Sequence, residues 1–229
     1  MNVRAIEEWF ALRLPPDTRV WFSEAVAAAR KEGTAGASFA AAWSAAGRRL
    51  GRTSAAASEA EATALRASGV PFVPSAVWAQ DELGRALFLL AAAEVEGRAP
   101  AFAAAVGELF RKGEMREQQA VLRVLPHLPN PDQYTDIAAD AVRSNVVSVI
   151  EAIACENPYP ADHLNDLAFN QLVMKALFNQ VSLGRVLGLE RRNNAELRRM
   201  VEAYASERRA AGRPVPADVA LISGGDVAP

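Results

Sequence analysis

The sequence predicts an all-α protein of stacked helical hairpins, an α-solenoid of the HEAT or armadillo kind. Three observations predict it. Alanine is the commonest residue, and alanine loses no side-chain entropy on entering a helix. Apolar residues recur at three- and four-residue spacing, with no convincing period-two alternation. The pattern helix, proline turn, helix is stated twice, with Asn130-Pro131-Asp132 and Asn157-Pro158-Tyr159-Pro160 in equivalent places. Their separation is shorter than the roughly 40–47 residues of a HEAT unit, so the array is HEAT-like.

Ile6, Trp9, Phe10 and Arg13 set a helix over 3–14, ended by Pro15 and Pro16. Asp17 or Thr18 can cap a second helix reaching Glu32, which Gly33 and Gly36 punctuate. Phe39, Trp43 and Leu50 mark a third, closed at Gly51. Residues 53–68 hold one large apolar residue, Leu65, and read as a weakly packed surface helix. GVPFVP, 69–74, cannot be helical. Trp9, Trp21, Trp43 and Trp78 are expected in the core. Ser75 is placed to cap a strong helix running to 95, and Pro100 opens another that stops at Gly113. Further helices are expected over 114–125, 132–143, 146–155, 161–179 and 194–211. The proline- and glycine-rich end reads as extended. The expected organisation is an N-terminal helical region (1–74) packed on the main body, a HEAT-like array (75–212) and an extended tail (213–229).

With 25 basic and 27 acidic residues, the net charge of −2 gives no electrostatic case for nucleic acid or an anionic membrane. Cys155 is the single cysteine, so no internal disulfide forms and a reducing compartment fits. The N-terminus lacks the basic-then-apolar order of a signal peptide. No run approaches the roughly 20 apolar residues that span a bilayer. A cytoplasmic location without direct membrane insertion is expected. No phosphate loop, dinucleotide fingerprint or nucleophile elbow occurs.

The chemistry concentrates in 144–178. The run from Leu167 to Phe178 is apolar nearly all round yet holds Asn170, Gln171 and Lys175. Buried polar groups need partners, so these either knit the fold or form a site. On a continuous helix over 161–179, His163, Leu167, Asn170, Met174 and Leu177 fall on one stripe. Antiparallel packing would let Glu151 pair with Lys175. Asp162, His163 and Asp166 have metal-ligand chemistry, but acids in a first helical turn are also expected from the dipole alone; no metal is assigned. Arg123 interrupts the apolar run AVLRVL. It either snorkels to solvent, the commoner course, or reaches an acid or a ligand anion. The arginine pairs at 48–49, 191–192, 198–199 and 208–209 read as solvated faces with local ion pairs.

ACENPYP (154–160), FNQLVMKALF (169–178) and ERRAAGRPVP (207–216) closely resemble the EboA family, and REQQAVLRVLPHLP (116–129) is similar to it. The resemblance covers roughly residues 100–220. It implies a protein encoded in a gene cluster for secondary-metabolite traffic, helping to export a metabolite precursor from the cytoplasm. Implied partners are a small-molecule metabolite and products of the same cluster, including a UbiA-like membrane prenyltransferase. No reaction, catalytic residue or cofactor carries over. By family pattern the site candidates include Glu156, Asn157 and Tyr159 beside Asn170, Gln171 and Lys175. A non-enzymatic accessory or binding protein is expected. The alternative is an enzyme of unrecognised type with an acid–base pocket of Glu151, Glu156, His163 and Lys175 at the ENPYP elbow.

Overall fold

The structure is a computed structural model that describes residues 2–96 and 99–224. All regular structure among them is helical, and β-type pairing is confined to isolated bridges at Ser54–Ala79 and Cys155–Val186. None of the described helices is long and apolar enough to cross a membrane. The chain forms two compact units, Met1–Tyr134 and Thr135–Pro229. The 74/75 junction lies inside the first unit, because the adjoining loop bonds across to earlier residues. Asn2 N donates to Gly69 O (2.9 Å), Ala55 N to Trp78 O (2.8 Å) and Gln80 N to Thr53 O (2.9 Å).

The first unit contains α1 (Val3–Leu12), α2 (Pro16–Glu32), α3 (Ala37–Leu50), α4 (Glu59–Ala67), α5 (Gln80–Glu96), α6 (Pro100–Lys112) and α7 (Met115–Val124). Short 3-10 turns follow at Leu125–His127 and Pro131–Tyr134. Helix α2 starts on Pro16 without a side-chain cap, so Asp17 and Thr18 lie inside it. Helix α4 begins at a Ser58–Glu61 capping box, and Ala62 and Leu65 bury its inner face. Helix α5 begins at Gln80 rather than at Ser75, since 75–79 is spent on a turn in which Trp78 N donates to Ser75 O (3.1 Å).

Helix α5 is the axis of this unit. It packs against α2, α3 and α7, and every residue from Asp81 to Ala92 is buried. Phe10, Phe22 and Phe88 form an aromatic cluster beside it, with ring centroids 5.2 and 5.7 Å apart. Trp43 and Trp78 join the core. Trp9 and Trp21 do not: both are half-buried at the rim, under the guanidinium groups of Arg13 and Arg49.

The first turn of α5 buries charge. Asp81 and Glu82 are 1% and 2% exposed, a costly position for carboxylates unless cations meet them. Arg85 Nη1 donates to Asp81 Oδ2 (3.1 Å) and its Nε to Trp43 O (3.1 Å). From α7, Arg116 bonds both Asp81 oxygens and lies 2.9 Å from Glu82 Oε1. Arg123 brings its Nε within 3.3 Å of Glu82 Oε2. Its expected course to solvent is therefore corrected: a buried acid holds it in the interior. Burial pushes the Glu82 carboxyl above its ordinary pKa, against the pull of Arg123 and Arg116.

His127 stacks on Phe72 (4.4 Å), which stacks on Trp78 (5.0 Å). Burial pushes its pKa down to about 4.

The second unit contains α8 (Thr135–Arg143), α9 (Val147–Ala154), α10 (Tyr159–His163), α11 (Asp166–Phe178), α12 (Leu189–Arg192), α13 (Ala195–Ala210) and α14 (Ala220–Ser223), with 3-10 turns at Leu183–Arg185 and Ala217–Val219. Helix α11 packs against α8, α9 and α13. The single helix expected over 161–179 is two. Leu164 is extended, and Asn165 restarts the chain by accepting from Ala168 N (2.9 Å). The break separates His163 from the expected stripe; on α11 its members Asn170, Met174 and Leu177 are buried together, while Leu167 in the first turn is 66% exposed. Residues 213–224 are built into the unit, with Val219 and Ile222 buried and Asp218 Oδ2 accepting from Leu183 N (2.6 Å).

Two outcomes follow for stability. Arg116→Met costs about 3 kcal/mol, because it strips buried carboxylates of a partner, and adding Glu82→Gln recovers part of the loss; urea denaturation of the single and double variants measures both. His127 makes the stability of the first unit depend on pH. The unfolded chain protonates this histidine near its usual value of about 6.5, whereas the folded chain resists until about 4. Native stability is therefore complete above the unfolded value and falls as pH drops between those two values, by on the order of 3 kcal/mol. His127→Phe keeps a ring on Phe72 and removes that component from a series of denaturation curves across the window.

Candidate ligand-binding site

The side chains singled out at the ENPYP elbow hold the elbow together. Asn157 donates Nδ2 to Ala152 O (3.0 Å) and accepts from Tyr159 N at Oδ1 (3.0 Å), an Asx turn that reverses the chain. Glu156 takes the left-handed region (φ 49°), so its side chain projects outward and is exposed. Arg185 grips the Glu156 carboxylate with Nε (2.9 Å) and Nη2 (3.0 Å), and its Nη1 reaches Glu151 Oε1 (3.1 Å). Glu156, foremost, raises the Arg185 pKa above its ordinary value. Thus Glu151 pairs with Arg185, and no ion pair to Lys175 occurs among the described residues. Tyr159 is fully buried and its ring lies 4.7 Å from that of half-buried His163.

The three polar residues of α11 separate. Gln171 is exposed and Lys175 half-buried. Asn170 is buried and exchanges two amide bonds with Asn194, each 3.1 Å. Asn194 also caps α13 by accepting from Leu197 N (2.8 Å). Their partnership ties α11 to the start of α13 and gives the buried Asn170 amide a partner. Among the described residues no group of three or more His, Cys, Asp or Glu side chains could hold a metal. Asp162 and Asp166 instead accept from Arg191 (2.5 Å) and Arg192 (2.9 Å). Arg192 also donates to Ala161 O (2.6 Å) and Leu164 O (2.8 Å) and lies over the Phe169 ring (4.9 Å). It is a clamp across the α10–α11 break, where an arginine pair had suggested a solvated face. Arg123 belongs to the buried ion network of the first unit.

A different part of the second unit is concave, and local chain stops build it. Helix α11 ends with Gln180 in the left-handed region (φ 59°), Gln180 N donating to Leu177 O (3.2 Å) and Val181 N to Ala176 O (2.9 Å). Helix α13 ends the same way: Gly212 takes φ 63°, its N–H donates to Arg209 O (3.0 Å), and Arg213 N donates to Arg208 O (2.8 Å). Both are Schellman stops, and Pro214 after the second forbids further helix. Arg208 Nε then donates to Pro214 O (2.6 Å), clipping the returning strand of chain to the last turn.

Between these stops lies a cleft of about 490 Å³, within the range of small-molecule sites. Phe178, 57% exposed, meets Tyr204 edge-on at 5.0 Å on one side. Arg208 lies 5.6 Å from the Tyr204 ring centroid. Pro214, Val215, Pro216 and Asp218 complete the wall. A smaller recess of about 340 Å³ lies beside Leu183, Leu187 and Leu221. None of the site candidates named from sequence lines the cleft, although Leu177 of the expected stripe and Arg208 of an arginine pair do. The available signal was an aromatic ending an apolar helix, together with glycine and proline set just past an arginine-bearing one.

A model of the family described as metabolite traffic protein EboA matches residues 3–222. The chain belongs to the EboA family. No curated protein and no solved structure matches it. The match covers nearly all of the chain, including the alanine-rich first third that precedes the segments resembling EboA. Two of the segments that carry the EboA pattern, 169–178 and 207–216, end at the cleft and supply Leu177, Phe178, Arg208 and residues 214–216 to its wall.

Asn170→Ala strands part of the Asn194 amide and costs about 1–3 kcal/mol. With Asn194→Ser the losses combine to less than their sum, while Gln171→Ala stays within about 0.5 kcal/mol of the parent. A double-mutant cycle by urea denaturation reads all three.

Proposed function

We propose that this EboA-family chain is a non-enzymatic accessory protein of secondary-metabolite traffic, and that it binds a metabolite precursor in the cleft between the ends of α11 and α13. The observation that carries the reading is the convergence of two EboA-pattern segments on one open cavity with aromatic and guanidinium walls. The site candidates at the elbow have a scaffolding role in this reading: Glu151 and Glu156 both engage Arg185, and Asn157 is spent on the turn. An acid–base centre there is disfavoured for the same reason. The helical hairpins stack in a HEAT-like manner, and the chain works in the cytoplasm. Its partners are the bound metabolite and products of the same gene cluster, including a UbiA-like membrane prenyltransferase; nucleic acid and direct membrane insertion play no part.

Native mass spectrometry of the chain purified from its own host tests this. A small-molecule adduct is expected, and Ala217→Trp, which fills the cleft wall, removes it while the circular dichroism spectrum is unchanged. An adduct that survives the substitution, or none in the parent protein, overturns the cleft as the binding site.

A further inference from the structure

The walls of the cleft are chemically lopsided, and the asymmetry names a ligand class. Arg208 is half-buried on the last turn of α13 and lines the cavity. Its Nε is spent on Pro214 O. No ion pair to its guanidinium occurs among the described residues, and no bond from its Nη groups does either. That is unlike Arg185, Arg191 and Arg192 of the same unit, each of which holds a carboxylate. Asp218, the acid of the same wall, is already engaged: its Oδ2 accepts from Leu183 N at 2.6 Å. Each thus holds one bond to a neutral backbone group, and the cavity presents the open Nη face of Arg208 beside a carboxylate engaged at one oxygen.

Apart from Gln180 and the Tyr204 hydroxyl, the other side chains of the lining are apolar. Phe178 keeps 57% of its surface exposed although it sits against Tyr204. A large aromatic held open beside a cavity is a surface that a ligand can cover. Two helix C-termini end nearby, and their dipoles disfavour an anion. The Schellman bonds satisfy their last carbonyls, and the dipole term is worth only about 0.3–1 kcal/mol and fades within a turn. A full guanidinium charge with open donors outweighs it, because bonds between a guanidinium and an anionic oxygen are about twice as strong as neutral ones.

Resting on the cleft reading above, we infer that the occupant is an amphipathic anion: a flat apolar body against Phe178 and Tyr204, with a carboxylate, sulfonate or phosphate group at the Nη face of Arg208. The planar fork of arginine suits such oxygens. Neutral molecules of the same shape bind without the guanidinium contribution.

Two fluorescent probes separate the terms. 8-Anilinonaphthalene-1-sulfonate carries the anion, and N-phenyl-1-naphthylamine has the same rings without it. Both are titrated into the full chain and into Arg208→Gln, Arg208→Lys and Ala217→Trp, with thermal melts to confirm folding. The sulfonate probe is expected to bind the parent, to weaken roughly tenfold in Arg208→Gln (about 1.4 kcal/mol) and to be largely kept in Arg208→Lys. The neutral probe is expected to be indifferent to both changes, and Ala217→Trp to abolish both probes. If Arg208→Gln does not fold, the lysine variant and the paired probes on the parent protein still read the charge preference. Equal binding of the two probes, lost together in Ala217→Trp, overturns the anionic class and leaves the cleft standing. Binding of neither probe, or binding that ignores Ala217→Trp, overturns both.

Discussion

Two carboxylates at the start of α5 cannot be left alone in a protein interior, and the first unit is arranged around that demand. Asp81 and Glu82 occupy the first turn, where the helix dipole favours acids, yet both are almost completely buried. Three arginines answer them: Arg85 one turn along the same helix, and Arg116 and Arg123 from α7. Arg116, Gln119 and Arg123 fall at i, i+3 and i+7 and so share a face of α7. Sliding α7 by one residue would turn that face away and leave two anions without cations. The network thus sets the register of α7 on α5, while the phenylalanine cluster and the alanine surfaces supply the apolar contact. Glu117, at 3.8 Å from Arg85, brings the cluster to three acids and three arginines, in keeping with a chain of nearly zero net charge.

The second unit solves a different problem, that of reversing direction several times in about 90 residues. Each reversal is fastened by a side chain to a backbone group. Asn157 closes the ENPYP elbow, Arg192 bridges the break between α10 and α11, and Arg208 clips the chain back after Gly212. Arginine suits this work because one planar group can satisfy several carbonyl or carboxylate oxygens at once. The proposed binding cleft is a by-product of the last reversal. Its walls are the two helix ends and the returning chain, and its aromatic and cationic lining comes from the last turns of those helices.

Much of the fold was legible in the residues. Alanine content, apolar periodicity and proline punctuation located most helices closely, because those features act over a few neighbouring residues. Membership of the EboA family was also legible, through the ENPYP, FNQ and ERRAAGRPVP segments, and the family match bears it out. The site was less so. Asn157 and Asn170 looked like candidates for chemistry because polar residues in apolar runs demand an explanation, but their partners lie at Ala152 and Asn194. The Asp81–Arg85 spacing and the Arg116–Arg123 stripe were present in the sequence, yet charges at helical spacing look the same on a solvated face and in a buried network.

By itself, then, the sequence determined the class of the fold, most of the places where helices stop and the family. Local sterics and backbone hydrogen bonding decide those matters within a turn or two of chain. Tertiary structure alone decided which charges were buried, that Glu151 meets Arg185, and that Phe178, Tyr204 and Arg208 border one cavity. Those outcomes depend on the burial and mutual distance of residues far apart in the chain, and neither quantity is encoded in any single segment.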